Sequence, residues 1–125
     1  MQNKIILVVE DDPTLQIVAR MSIQHLGYRC EIAGSAEAAL ERDHRDVALI
    51  FMDIGLPGIQ GTHATMQIRE MELRQQRKRV PIVALTGHAI KEQCLEAGMD
   101  DFLLKPALLH DYQRMIEKWA PYFPE

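Results

Sequence analysis

Cysteine is scarce in this chain: Cys30 and Cys94 are the two, and they form neither a C-x-x-C pair nor a zinc spacing. That excludes a disulfide framework and a structural zinc, and two reduced, inert thiols in a cytosolic protein are expected. Long apolar runs are also missing. The apolar fraction is 47%, yet no run approaches the roughly 20 residues that span a bilayer. Met1-Gln2-Asn3-Lys4 leads straight into a short strand-like run without a small-residue cleavage site, so no signal peptide is expected. Basic charge is not in excess: 14 Lys and Arg stand against 18 Asp and Glu, for a net charge of −4. This argues against nonspecific nucleic-acid binding by the domain as a whole. The run from Arg74 to Arg79 reads as a solvated helix end, where cations complement the helix dipole. No linker or low-complexity segment interrupts the 125 residues, which suit one domain.

What the chain does have is a set of short apolar runs, each stopping at a polar residue. Lys4-Ile5-Ile6-Leu7-Val8-Val9 meets Glu10-Asp11-Asp12, and Val47-Ala48-Leu49-Ile50-Phe51-Met52 meets Asp53. Val80-Pro81-Ile82-Val83-Ala84-Leu85 ends at Thr86, and Phe102-Leu103-Leu104 ends at Lys105-Pro106. Runs of this length, rich in Val and Ile, are the pattern of strands buried on both faces. Tyr28-Arg29-Cys30-Glu31-Ile32 is more mixed and suits a sheet edge. The intervening stretches are amphipathic. One helix is expected from Pro13 to about Leu26, capped by Asp12 and stopped by Gly27, and a second after Ser35. A third is expected from about Thr62 into the basic run, burying Ala64, Ile68 and Met71, and a short fourth ending at Ala97-Gly98. The last should follow Pro106, with Leu108, Leu109, Tyr112, Met115, Ile116 and Trp119 on its buried face. Five β-α units with short connections predict an α/β fold: a parallel sheet covered by helices on both sides, joined by right-handed crossovers.

Open α/β sheets place ligands at the carboxyl ends of their strands. Asp53, Glu10, Asp11, Thr86 and Lys105 would therefore share one crevice. A carboxylate such as Asp53 is a poor nucleophile towards a phosphoryl group, since both are anionic. A divalent cation relieves that repulsion. Magnesium takes a few carboxylates plus waters, which Glu10 and Asp11 can supply. Lys105 can cancel further negative charge and Thr86 can hydrogen-bond a phosphoryl oxygen. The product would be an aspartyl phosphate. Asp12, just ahead of Pro13, reads as a helix cap rather than a metal ligand.

In order along the chain, Val8-Val9-Glu10-Asp11-Asp12-Pro13, Met52-Asp53-Ile54-Gly55-Leu56-Pro57-Gly58, Ala84-Leu85-Thr86-Gly87-His88 and Leu104-Lys105-Pro106 resemble the motifs of the receiver domains of two-component response regulators. The phrase from Glu96 to Leu103 is similar to receivers of hybrid sensor histidine kinases. The resemblance covers essentially the whole chain. It implies a doubly wound, flavodoxin-like (βα)5 fold with strand order 2-1-3-4-5. It implies that Asp53 accepts phosphate from a histidine kinase or histidine phosphotransfer protein. It further implies that Glu10, Asp11, Asp53 and the Gly55 carbonyl hold Mg2+, and that Lys105 contacts the phosphoryl group over a cis Lys105-Pro106 bond. Thr86 and Phe102 would be the switch pair. On the first helix, Ile17 and Met21 lie opposite the expected core positions Leu15, Val18, Ala19, Ser22 and Leu26. With Leu56 and Pro57 they are expected to form the patch that meets the histidine-bearing helix.

Three features depart from the family pattern. Eighteen residues separate Thr86 from Lys105, about one helical turn fewer than the family's usual spacing, which shortens the fourth helix or its preceding loop. Phe102 replaces the commoner tyrosine. Gly55 leaves the phosphorylation site open to water, while His88 is positioned to obstruct it. A phosphohydrolase would carry a second acid two residues after its nucleophile, where Gly55 stands, together with a cap domain. A receiver-like binding module that never accepts phosphate is the other alternative. The tail after Trp119 is too short for an output domain, and the domain is expected to signal through a partner, pass phosphate onward, or be one piece of a longer hybrid kinase chain. It is not expected to contact nucleic acid or membrane directly.

Overall fold

In a computed structural model the described residues are 4–56, 58, 60–87 and 91–120. Five strands, β1 (Ile5–Val9), β2 (Arg29–Ala33), β3 (Val47–Asp53), β4 (Ile82–Thr86) and β5 (Asp101–Leu104), alternate with five helices. These are α1 (Pro13–His25), α2 (Ala36–Glu41), α3 (Gly61–Arg74), α4 (Lys91–Ala97) and α5 (Leu109–Trp119). All pairings are parallel and the order is β2-β1-β3-β4-β5, the doubly wound arrangement that the family resemblance implies. β1 and β4 are buried throughout, whereas β2 alternates exposed and covered residues, as its edge position requires.

Because side chains alternate along a strand, each inner strand feeds two cores. Ile6, Val8, Leu49, Phe51, Val83 and Leu85 pack with Ala19 and Ile23 of α1 and with Tyr112, Met115 and Ile116 of α5. Leu7, Val9, Ile50, Met52, Ile82 and Ala84 pack with residues of α2, α3 and α4, among them Ala36, Ala64, Ile68 and Cys94. The register places Val9 beside Met52, Asp53 beside Leu85 and Thr86 beside Leu104. The strands therefore end nearly level, and the polar residues following them share one edge.

Several helical details differ from the sequence expectation. On α1 the fully buried residues are Ala19 and Ile23, while Leu15, Val18, Ser22 and Leu26 are only half-buried. The apolar stripe is thus centred further round the helix. α3 reaches the basic stretch but ends at its first residue, Arg74. Gln76 takes φ 54°, Arg77 N–H donates to Glu72 O (2.8 Å) and Gln76 N–H to Leu73 O (3.3 Å). That is a Schellman stop built on a left-handed glutamine where glycine is usual. Glu72 is buried and Met71 only half so.

α5 begins at Leu109, because the chain after Pro106 is still extended at Leu108. Leu108 and Leu109 are consequently exposed and Ala107 takes the buried place. Tyr112, Met115, Ile116 and Trp119 keep the helical spacing. α4 has seven residues, in keeping with the short Thr86 to Lys105 interval.

Candidate functional site

The end of β1 is tied down before any acid acts. Glu10 N–H donates to Ala33 O across the sheet (3.0 Å), and the Gln16 side-chain amide donates to Glu10 O (2.6 Å). Asp12 caps α1, accepting from Thr14 N–H (2.8 Å) and Leu15 N–H (3.2 Å), while its own N–H donates to Glu10 Oε2 (3.1 Å). Asp12 therefore acts as the helix cap expected of it. Glu10 is 1% exposed and Asp11 exposed, so the pair presents one acid from inside the fold and one from the rim.

Asp53 closes β3 at 2% exposure. Its Oδ1 accepts the Gly55 N–H (2.9 Å), and its Oδ2 is 3.0 Å from Lys105 Nζ, which is also 3.5 Å from Glu10 Oε1. Carboxylate oxygens of Glu10, Asp11 and Asp53 lie within 4.8 Å of one another. With all four groups ionised, three carboxylates face one ammonium, an excess of two negative charges. An all-oxygen donor set with that excess fits one hard divalent ion such as magnesium. Without a metal the crowding falls on Glu10. Burial raises its pKa, and the neighbouring Asp53 charge adds to the rise against the opposing pull of the Asp12 amide and Lys105. Burial alone would lower the Lys105 pKa, but Asp53 and Glu10 outweigh it and the ammonium is held charged.

Thr86 is buried at the end of β4, and its carbonyl accepts Lys105 N–H (2.8 Å), so hydroxyl and ammonium are delivered by two paired strands. The Lys105-Pro106 peptide is cis. Phe102 is half-buried against the α2–α4 side of the sheet.

The structure treats the expected docking residues unequally. Ile17 and Met21 are 57% and 66% exposed on α1. Leu56, by contrast, is 4% exposed and packs in the core cluster containing Val9, Met52 and Ala64, so its side chain is unavailable to a partner. Having turned past the site, the chain uses Leu56 to fill the core instead. Pro57 and His88 lie outside the described residues.

Gly61 was not singled out from the sequence. A Cβ there would lie 2.2 Å from Asp53 O and 2.8 Å from Ile54 Cα, so α3 can begin against the back of Asp53 only with glycine. The available signal was a glycine opening a helical pattern, where it is otherwise a poor choice.

Comparison with known proteins agrees with this geometry. The model of the response regulator receiver domain matches residues 6–117. The sensor protein GacS of Pseudomonas syringae is 31% identical over 92% of this chain, and the chain spans only 13% of that protein's length. Hybrid signal transduction histidine kinase F of Dictyostelium discoideum is 34% identical over 91% of the chain and 11% of its own length. Among solved structures, the receiver domain of a Pseudomonas aeruginosa sensor histidine kinase has a TM-score of 0.82 and 38% identity. The match covers 95% of this chain and 98% of that one, and the relative holds a magnesium ion in its active site cleft. The Saccharomyces cerevisiae receiver domain of Ssk1, crystallised with the histidine phosphotransfer protein Ypd1, has a TM-score of 0.84. It is 29% identical, with 95% of this chain and 90% of that one covered. Sequence motifs, strand order and family match converge, and the chain belongs to the response regulator receiver domain family of two-component phosphorelay signalling.

Proposed function

We propose that this domain accepts a phosphoryl group on Asp53 from a phosphohistidine in a histidine kinase or histidine phosphotransfer protein, with Mg2+ held by Glu10, Asp11, Asp53 and the Gly55 carbonyl. One observation carries the reading: a buried carboxylate at a strand end, with the Gly55 amide on one oxygen, Lys105 on the other and two further acids beside it. In the transfer the donor P–N bond breaks, its electron pair leaving on an imidazole whose other nitrogen carries a proton. A P–O bond to Asp53 forms. A magnesium ion held by these residues would neutralise charge on the anionic oxygens of both partners. Lys105 exchanges its contact with Asp53 for one with a phosphoryl oxygen, and the Thr86 hydroxyl donates to another. Movement of Thr86 towards the phosphoryl group, with Phe102 following, is the proposed conformational output.

Ile17 and Met21 supply the exposed apolar surface for the histidine-bearing helix, without Leu56. The yeast receiver crystallised with its phosphotransfer protein supports a partner of that kind, and the match to short segments of hybrid kinases supports a place in a longer chain. The site acts on its own aspartate rather than turning over a free substrate, and we assign it to the cytoplasm. No helix among the described residues is long and apolar enough to cross a membrane. The test is intact mass after incubation with acetyl phosphate, with and without magnesium, beside Asp53→Asn. A magnesium-dependent phosphoryl adduct on the unsubstituted chain alone is expected. Absence of an adduct with both acetyl phosphate and a phosphohistidine protein donor, while metal binds, would leave a phosphorylation-independent binding module, for which the seven-residue α4 is the supporting feature.

A further inference from the structure

The acidic pair at the end of β1 faces a geometric difficulty. Neighbouring side chains on a strand point to opposite faces, so Glu10 and Asp11 can converge on one ion only if the peptide between them has left the strand conformation. The last β1 residue paired on either side is Val9, with Ala33 and Met52. Glu10 still gives its N–H to Ala33 O. Its carbonyl, which belongs to the Glu10–Asp11 peptide, lies beyond the last paired residue. A buried carbonyl without a partner costs about 1–3 kcal/mol, so something must satisfy it.

The group that does so is Gln16, six residues on and half-buried on α1, whose Nε2–H donates to Glu10 O at 2.6 Å. The same peptide is bracketed by the Asp12 N–H on Glu10 Oε2. We infer that Gln16 is a positioning residue for the metal site: it fixes the plane of the Glu10–Asp11 peptide and so the direction of both carboxylates. It touches neither metal nor phosphate. The inference rests on the magnesium reading above, and it adds a side chain that the strand-end pattern does not reveal. Such partners of metal ligands typically account for about 10–100-fold in affinity.

The test uses the full chain with Gln16→Met, which keeps length and removes the donor, beside Gln24→Met, the same exchange at an exposed position of α1. Magnesium affinity is measured by calorimetry, and amide hydrogen exchange is followed in the metal-free protein. Gln16→Met is expected to weaken magnesium binding about tenfold and to speed exchange at the Asp11 and Asp12 amides. Gln24→Met should do neither, and core amides of β3 and β4 should keep their protection in both variants. Unchanged magnesium affinity, or faster exchange spread evenly over the sheet, would overturn the positioning role. Failure of the unsubstituted chain to bind magnesium would defeat the metal reading instead, while the metal-free exchange would still decide whether Gln16 orders this peptide.

Discussion

Replacing Arg69 with Met should destabilise the domain by about 3 kcal/mol, the lower end of what breaking a buried ion pair costs. The Arg69 side chain is 13% exposed, between Glu72 and Asp100, which are 10% and 12% exposed. Its guanidinium donates to Glu72 Oε1 (3.0 Å), Asp100 Oδ2 (2.9 Å), Val80 O (2.8 Å) and Gly98 O (2.9 Å). It thereby ties α3 to the lead-in of β4 and to the turn between α4 and β5. Methionine replaces the packing of the stem but none of the donors. Glu72 keeps the Val80 N–H, and Asp100 keeps Arg79 and the Ile82 N–H. At roughly 2.1 cal/mol/K of unfolding entropy per residue, ~3 kcal/mol lowers the melting midpoint by about 11 °C. Urea titration gives the free energy, and a cycle with Asp100→Asn isolates the shared part. Phosphorylation by acetyl phosphate should survive, since the site lies at the opposite ends of the strands. A loss below about 1 kcal/mol would refute the argument, because it would mean that water already satisfies the two carboxylates as well as Arg69 does.

Four further outcomes are expected. Gly61→Ala should slow phosphorylation more than about tenfold, as acetyl phosphate kinetics can measure, because its Cβ would displace the Asp53 backbone. Lys105→Met should tighten magnesium binding in calorimetry, through loss of the competing ammonium on Asp53, while lowering the phosphorylation rate. Because the folded pKa of Glu10 is raised, the folded state binds the extra proton, and this contribution to stability fades as pH rises from the unfolded value of 4.5 through the folded one. Glu10→Gln should therefore be at least as stable as the unsubstituted domain at pH 7 without metal, and its melting should vary less with pH. Replacing Ile17 and Met21 together with Ser should slow transfer from a phosphohistidine protein but leave labelling by acetyl phosphate unchanged; equal slowing of both would remove them from the docking surface.

The main frame was legible because the inner strands of a doubly covered sheet must be apolar on both faces. Runs such as Ile5 to Val9 therefore announce themselves, and a polar residue after each marks the edge where chemistry gathers. Asp53 and Lys105 could be paired from sequence on that ground, and their 3.0 Å contact agrees. Loops carry no such period. Leu56 looks like any exposed apolar turn residue until the fold supplies the core it fills. α5 follows Pro106 as expected, but Leu108 and Leu109 read as buried helical positions because a helix commonly opens directly at a proline, whereas Pro106 here precedes two more non-helical positions. Gln76 ends α3 without the glycine that usually signals such a stop. Gln16 and Arg69 satisfy backbone carbonyls, Arg69 those of residues 11 and 29 positions away. A polar residue on a helix gives no sign of which carbonyl it will find.

Gly61 N–H reaches back to Ile54 O at 3.4 Å, so the residues on either side of the stretch numbered 55–60 are held together at a narrow base. A stretch anchored at so narrow a base can be rewritten with little consequence for the sheet behind it, provided an apolar side chain still fills the core place of Leu56. Exchange of the rest of this stretch between homologous domains is thus a route to altering partner choice or phosphate lifetime, with glycine at 61 and an apolar residue at 56 as the letters that the graft must retain.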